Sequence, residues 1–245
     1  MRYAVMADLH GKRKALRRVL AAADEVGVDE VVCLGDYLEA KVPMRRHDPG
    51  RFWPLDEVVD PDPKLWAELA DLRRILGNQE ERIRDLLAPE QVPELLAPLL
   101  SGVSMTHVDC AVGMHGHQIG WDVDPGSGSF VPRARDVPAV PLVLVGHTHH
   151  RAVFEIRWSA EPEPEPEREP ESRAESGRAG EPRFPGAGRS GAVRSVPVVS
   201  GVPVPVRVAG PDPVTVVVNV GPAIGRPSNW LFFDADRGEV VFEEA

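Results

Sequence analysis

The most restrictive feature of this chain is a pair of short apolar runs near its start, each of which stops at a polar group. The chain opens "RYAVMADLHG", an apolar strand that closes on Asp8 and His10. "KRKALRRVLAAADEVG" follows, with Leu16, Val19, Leu20 and Ala23 at helical spacing and Gly27 as a stop. "DEVVCLGDY" is a second buried strand, ending in Gly35-Asp36. A β-α-β opening of this kind builds a parallel sheet. It gathers polar residues at the carboxyl ends of the strands, where sites form in open α/β sheets. The first apolar run is too short for a secretory signal and has no small-residue cleavage site, so it reads as a strand of a soluble, cytoplasmic protein.

The same grammar continues. Residues 41–63, rich in Pro, Arg and Asp, read as a long surface loop. A helix is predicted over Lys64 to Asp71, then a short strand over Arg74 to Leu76 before Gly77-Asn78. Two helices, Glu80 to Leu87 and Val92 to Leu100, are split by Pro89. "CAVGMHGH" and "VPLVLVGHTHH" are strands that end in histidines. "VTVVVNVGP" and "WLFFDADRGEVVFEE" supply late strands, the second a hairpin through Arg237-Gly238. Residues 159–191 break the pattern. They are Pro, Glu, Arg, Gly and Ser with one aromatic, too poor in apolar area to offset ordering entropy, and read as a disordered insertion. Strand patterns resume at "AVRSVPVVSG", so the insertion interrupts a strand pair within one domain spanning 1–245. A protein partner for this segment is conceivable on composition, with nothing in the sequence to support it.

Composition excludes several classes. No stretch approaches ~20 apolar residues, so no membrane span is expected. The net charge is −10, whereas a nucleic-acid binder is normally basic, so a nucleic-acid partner is not expected. Cys33 and Cys110 lie in or beside core strands and read as free thiols in a reducing compartment.

Asp-x-His, Gly-Asp, Gly-Asn and His-x-His are each weak motifs, and His47 or His107 alone reads as a surface or structural histidine. The set is what carries weight: Asp8 and His10, Asp36, Asn78, His115, His147 and His149, each at the end of a predicted strand. In a nearly extended segment, side chains at i and i+2 point the same way, so "DLH" and "HTH" are expected to aim two groups each into one cavity. Two carboxylates, one amide oxygen and four imidazoles select Mn, Fe, Zn, Ni or Co over Mg or Ca, with Mn the first expectation. That donor set exceeds what one metal with an open position takes. It suits two divalent ions about 4 Å apart, bridged by a carboxylate and a hydroxide.

The order D-x-H, G-D, G-N, H-G, G-H-x-H, from Asp8 to His149, resembles the calcineurin-like metallophosphoesterases. "MHGHQIGWD" and "NVGPAIGRPSN" resemble its small bacterial phosphodiesterase branch, and the former also the retromer subunit of the same fold. The resemblance implies an α/β fold, a four-layer α/β/β/α sandwich of two mixed sheets flanked by helices. It implies that Asp8, His10 and His149 hold one metal, that Asn78, His115 and His147 hold the second, and that Asp36 bridges. It makes Asp36, Asn78, His115 and Gln79 the catalytic set, with Asn78, Gln79 and His117 near the phosphate and His150 outside. Activity would be hydrolysis of a small or nucleotide-derived phosphoester by attack of the bridging hydroxide.

The sequence departs from the family at three places. "GDYLEAK" lacks the Asp-Arg-Gly of phosphoprotein phosphatases, and Val220 and Pro222 stand where the late loop usually has Pro and Ser. Gln79 stands where many members carry a histidine that protonates the leaving oxygen. An amide donates a hydrogen bond but has no titratable proton. Gln79 therefore predicts an enzyme with a narrowed leaving-group range, best on aryl esters. Glu80 reads as a first-turn acid favoured by the helix dipole, and Arg82 and Arg84 as solvated helix arginines. The alternatives are a non-catalytic scaffold on the same fold and a nuclease.

Overall fold

The computed structural model describes residues 1–48, 50–159, 189–206 and 214–245. Its first third holds β1 (Arg2–Met6), α1 (Arg13–Val26), β2 (Glu30–Cys33), the short α2 (Leu55–Val58), α3 (Pro63–Ala70), β3 (Arg73–Arg74) and α4 (Asn78–Leu86). The middle supplies α5 (Ala97–Leu100), β4 (Met105–Val108), β5 (Ala111–Met114), β6 (Trp121–Val123), β7 (Phe130–Pro132), β8 (Leu142–Val145) and β9 (Ala152–Trp158). The last part adds β10 (Gly191–Val196), β11 (Val204–Pro205), β12 (Val214–Asn219), β13 (Asn229–Asp234) and β14 (Glu239–Glu244).

These strands form two six-stranded mixed sheets and a separate hairpin, β6–β7. The first sheet runs β11-β14-β13-β1-β2-β3 and the second β10-β9-β12-β8-β5-β4. The period-two alternation of each strand explains how they stack. Tyr3, Val5 and Ala7 of the first sheet face Leu142, Leu144, Val216 and Val218 of the second in one core between the sheets. Ala4 and Met6, on the opposite face of β1, pack under Leu16, Val19, Leu65, Leu69, Ile83 and Leu86 of the helices. Strands buried on both faces read as continuous apolar runs, and that is why "YAVM" and "LVLV" show no polar alternation. The expected sandwich of two mixed sheets flanked by helices is therefore present. Its helices gather on the first sheet, and the outer face of the second is covered by residues 119–140, through Ile119, Val137 and the β6–β7 hairpin.

Local chemistry sets most boundaries. Gly27, at φ +73°, ends α1 by donating its N–H to the Ala23 and Asp24 carbonyls. Asp62 caps α3, accepting from the Lys64 and Leu65 N–H groups at 3.1 and 3.0 Å. Two expectations need correction. The helix predicted over Val92 to Leu100 is helical only over Ala97–Leu100, because Val92 is held extended by the following Pro93. Residues 41–63 are more than a surface loop: Val42, Trp53, Val58 and Val59 are buried against the helices. The Arg237-Gly238 hairpin holds, pairing Asp234 with Glu239. Most of the acidic-proline insertion lies outside the described residues. Its flanks are an antiparallel pair, Trp158 opposite Gly191, extended by the Ser159 N–H to the Ser190 carbonyl at 3.0 Å.

Candidate metal centre

All seven predicted donors come together in a cleft at the carboxyl ends of β1, β2, β3, β5 and β8. Two clusters form. The ligand atoms of Asp8, His10 and His149 lie within 4.8 Å of one another, and so do those of Asp36, His115 and His147. Asn78 joins the second cluster, its Oδ1 3.1 Å from His115 Nε2. The two clusters touch: His115 Nε2 is 3.2 Å from Asp36 Oδ2 and 3.9 Å from Asp8 Oδ1.

The backbone that achieves this is not the extended one expected from "DLH" and "HTH". Asp8, His10, Asp36, His147 and His149 all have positive φ, from +47° to +74°. Only one further non-glycine residue among those described, Asp109, does so. Left-handed backbone is disfavoured for residues with a Cβ and persists where surrounding structure enforces it. Here, hydrogen bonds from Asp8 N–H to the Gly35 carbonyl (3.2 Å) and from His10 N–H to the Asp36 carbonyl (2.9 Å) hold the two loops together.

The glycines of the motifs have a spatial cause. A Cβ on Gly77 would lie 2.3 Å from Asp36 Oδ1, and one on Gly146 would lie 2.8 Å from Asp8 Oδ2. Gly-Asn carries glycine because the Asp36 residue occupies the space a side chain needs, and Gly-His because Ala7 Cβ, at 2.4 Å, and the Asp8 carboxylate do.

Glu80 overturns the dipole reading. It is fully buried, and its carboxylate accepts the N–H groups of Asp36, Leu38 and Gly77, each at 2.8 Å. It fastens the Asp36 loop to the start of α4. Burial, then the nearby Asp36 carboxylate, push its pKa up to about 8, against the opposing pull of the Leu38 and Gly77 N–H donors. Asp36 is disfavoured as an anion by burial, but the adjoining His115 outweighs this and holds it below the usual carboxylate range. His115 is driven the other way: burial opposes its charge, yet Asp36 and Asp8 lift it to about 9. His147 is pushed down to about 4 by burial and by His115.

Other residues escaped sequence reasoning. The Glu39 carboxylate accepts from His10 Nδ1–H in a short contact and orients that ring. Its only sequence signal was its place three residues after Asp36. Arg82 is not a solvated arginine; it donates to Gln79 Oε1 at 3.1 Å and to the Val42 carbonyl. The Ala40 N–H donates to the same Gln79 oxygen at 3.2 Å. The amide of Gln79 is thus fixed with its oxygen bound and its NH2 end without a partner among the described residues. His117 pairs with Glu81 at 3.3 Å, and its ring centroid lies 5.5 Å from that of His115 and 6.2 Å from that of His147. His150 points its Nδ1 at the Thr148 carbonyl and is outside, as expected.

The cavity above the clusters has a volume of about 500 Å³, and Lys12, Asn78, Gln79 and Ile224 are among the residues that line it. Ile224 comes from "NVGPAIGRPSN", which the Ala223 N–H ties to the Ala7 carbonyl at 2.8 Å.

The fold and site define a class, and comparison with known proteins gives it a name. The Calcineurin-like phosphoesterase superfamily domain matches residues 1–163, and the chain belongs to that superfamily. A metallophosphoesterase from Sphaerobacter thermophilus has a similar fold, with 18% identity and a TM-score of 0.53, over 100% of this chain and 88% of that one. Yfce, a phosphoesterase from E. coli, aligns at 16% identity and TM-score 0.40, covering 96% of this chain and 90% of its own. An archaeal phosphodiesterase aligns at 14% identity and TM-score 0.44, covering 100% of both chains. No curated protein matches the chain in sequence. Among the described residues, no helix is long and apolar enough to cross a membrane.

Proposed function

We propose that this protein is a phosphodiesterase of the cytoplasm that uses two divalent metal ions, Mn in the first instance, to hydrolyse a small or nucleotide-derived phosphoester. The observation that carries this is the juxtaposition of two nitrogen-and-oxygen donor clusters in one cleft. The residues fit such ions on chemical grounds. His10 Nε2 and His149 Nε2 face each other at 3.0 Å, and two carboxylates lie buried beside them, an arrangement that calls for concentrated positive charge. Asp8, His10 and His149 would hold one ion, Asn78, His115 and His147 the other, and Asp36 both. Bound there, the ions supply Lewis acidity toward the phosphoryl oxygens and lower the pKa of an attacking water.

The chain's own residues then do three things. Glu80 fixes Asp36 by holding its N–H, and the Gln79 N–H adds a hydrogen bond to Asp36 Oδ1 at 2.9 Å. Glu39 sets the ring of His10. Gln79 lines the cavity, and its NH2 group would donate a hydrogen bond to the ester without transferring a proton. Leaving oxygens that need protonation are therefore poor, and aryl oxygens are good.

The test is a screen of the Mn-loaded protein against phosphomonoesters, cyclic nucleotides, aryl diesters and dinucleotides, with metal content measured in parallel. We expect hydrolysis of diesters that a chelator abolishes and Mn restores. Protein that purifies without metal and hydrolyses nothing when loaded with Mn, Fe, Zn, Ni or Co would leave the scaffold reading.

A further inference from the structure

A second cavity, of about 510 Å³, adjoins the one above the donor clusters and shares His147 and His149 with it. The rest of its lining is Trp121, Phe130 and Thr148, with no carboxylate, lysine or arginine. Trp121 and Phe130 come from the two strands of the β6–β7 hairpin. Val123 lies opposite Phe130, and Trp121 lies two residues before Val123, so both rings stand on one face of the hairpin. The commoner role of such rings is packing. Val131, on the other face, does pack on the core of the second sheet, but Phe130 does not and is 37% exposed. Trp121 touches that core yet stays partly open to water, whereas the other four tryptophans, Trp53, Trp66, Trp158 and Trp230, are buried.

The aromatic wall is fastened to the donor clusters. The indole Nε1–H of Trp121 donates to the Gly116 carbonyl at 2.9 Å, one residue past His115. The Phe130 ring lies 5.8 Å from that of His150, one residue past His149. Between the two donor histidines, Thr148 Oγ1 accepts from Asn219 Nδ2 at 2.5 Å, which leaves its O–H without an acceptor among the described residues.

We propose that this cavity seats the nucleobase of a nucleotide substrate on Trp121 and Phe130 while the phosphoester lies over the two donor clusters. Aromatic side chains left open beside a reaction site offer faces on which an uncharged planar ring stacks. A nucleobase carries carbonyl and ring-nitrogen acceptors at its edge, which a hydroxyl donor can meet and a bare aryl ring cannot. That the nucleotide is a substrate rests on the phosphoesterase reading; the ring-binding cavity does not.

Two arms separate the two claims. The first reads binding by fluorescence and needs no turnover, because Trp121 is the one tryptophan open to a ligand. AMP, ribose 5-phosphate and phenylphosphonate are each titrated into the protein with and without Mn. We expect AMP to quench saturably, ribose 5-phosphate to leave the signal unchanged, and phenylphosphonate to bind more weakly than AMP. Phe130→Ala keeps the reporter and should weaken AMP binding about tenfold, the worth of one stacked ring, while Trp121→Leu should lose the quenching. No response to AMP in either state, equal affinity in Phe130→Ala, or quenching that survives Trp121→Leu overturns the proposal. Phenylphosphonate binding as tight as that of AMP assigns the cavity to simple aryl groups and overturns the nucleobase. In the second arm, the Mn-loaded enzyme hydrolyses the p-nitrophenyl ester of adenosine 5′-phosphate and p-nitrophenyl methyl phosphate, which keeps the leaving group constant. The nucleotide ester is expected to show a KM about tenfold lower at similar kcat, and Phe130→Ala to erase that advantage. Equal KM values in the wild type overturn the substrate assignment. If neither ester is hydrolysed, the phosphoesterase reading falls with that assignment, and the fluorescence arm alone judges the cavity.

Discussion

The two donor clusters share one cleft but are built on opposite principles. In the Asp36–His115–His147 cluster, the Asp36 and His115 side chains are buried and hydrogen-bonded by protein. His115 Nδ1 is 2.8 Å from the Leu34 carbonyl, and Glu80 anchors the Asp36 loop from beneath. In the Asp8–His10–His149 cluster Asp8 and His10 are likewise buried, but the third member stands open to water. His149 is exposed, and His10 leans on Glu39, a half-exposed carboxylate. The first cluster is positioned by the fold and the second by partners at the water boundary. Damage should therefore spread differently: through stability in the first, and through metal affinity in the second.

The largest effect is expected at the carboxylate between them. Asp36→Asn should lower turnover by about 10²-fold or more, the worth of losing several kcal/mol of charge stabilisation. Near-wild-type turnover at saturating Mn would remove Asp36 from the centre and end the comparison. Next come the two supporting glutamates, measured side by side. Glu80→Ala strands three buried N–H groups and should destabilise the fold by about 3 kcal/mol or more in denaturant unfolding. Glu39→Ala should stay within about 0.5 kcal/mol while weakening metal binding about tenfold. Equal losses of stability would show that the clusters are not built differently.

Gln79 tests the cleft's reach toward the leaving group. Wild type should cleave aryl phosphodiesters far better than alkyl phosphomonoesters. Gln79→His should raise activity on the poorer leaving groups selectively, by up to about 10²-fold. The measurement is kcat/KM against leaving-group pKa, and parallel slopes for the two proteins would move Gln79 away from the departing oxygen. The smallest effect concerns the support behind the open cluster, since α1 starts three residues after His10 and Glu68 of α3 ties it down. The guanidinium groups of Arg13 and Arg17 hold the Glu68 carboxyl at about 2, below its ordinary 4.5. A depressed pKa contributes stability above the unfolded value and loses it as pH falls through the folded one. Glu68→Gln should therefore cost about 0.5–1 kcal/mol at neutral pH. That gap should close between pH 4.5 and about 2, with turnover at neutral pH unchanged. A gap that does not vary with pH would assign it to packing.

Much of this was legible in the sequence, because strand termini and the chemistry at them are local. "YAVMADLH", "VVCLGD" and "LVLVGHTH" each state their own burial and their own polar ending. What escaped notice was set by distant contacts. Glu80 looks like any first-turn acid until Asp36 and Leu38, more than forty residues earlier, present their N–H groups to it. Trp53 and Val58 sit in a polar, proline-rich run, and only the helix faces opposite explain their burial. The β6–β7 hairpin has no strong alternation, and its place is decided by the exposed face of the second sheet. The left-handed turns at the donors left no residue-level mark, because aspartate and histidine tolerate that backbone without announcing it.

Those turns have an evolutionary and practical consequence. At Asp8, His10, Asp36, His147 and His149 the backbone holds a conformation that glycine adopts freely and that costs other residues about 1 kcal/mol or more. Glycine at His10, His147 or His149 would relax the chain, whereas at Asp8 or Asp36 it would also strand the His147 or Gln79 N–H that the carboxylate accepts. The slope of folding stability thus runs away from the chemistry at the three histidines. A directed-evolution screen for heat resistance alone would enrich glycines there. It would return a sturdier protein at each round, and an emptier one.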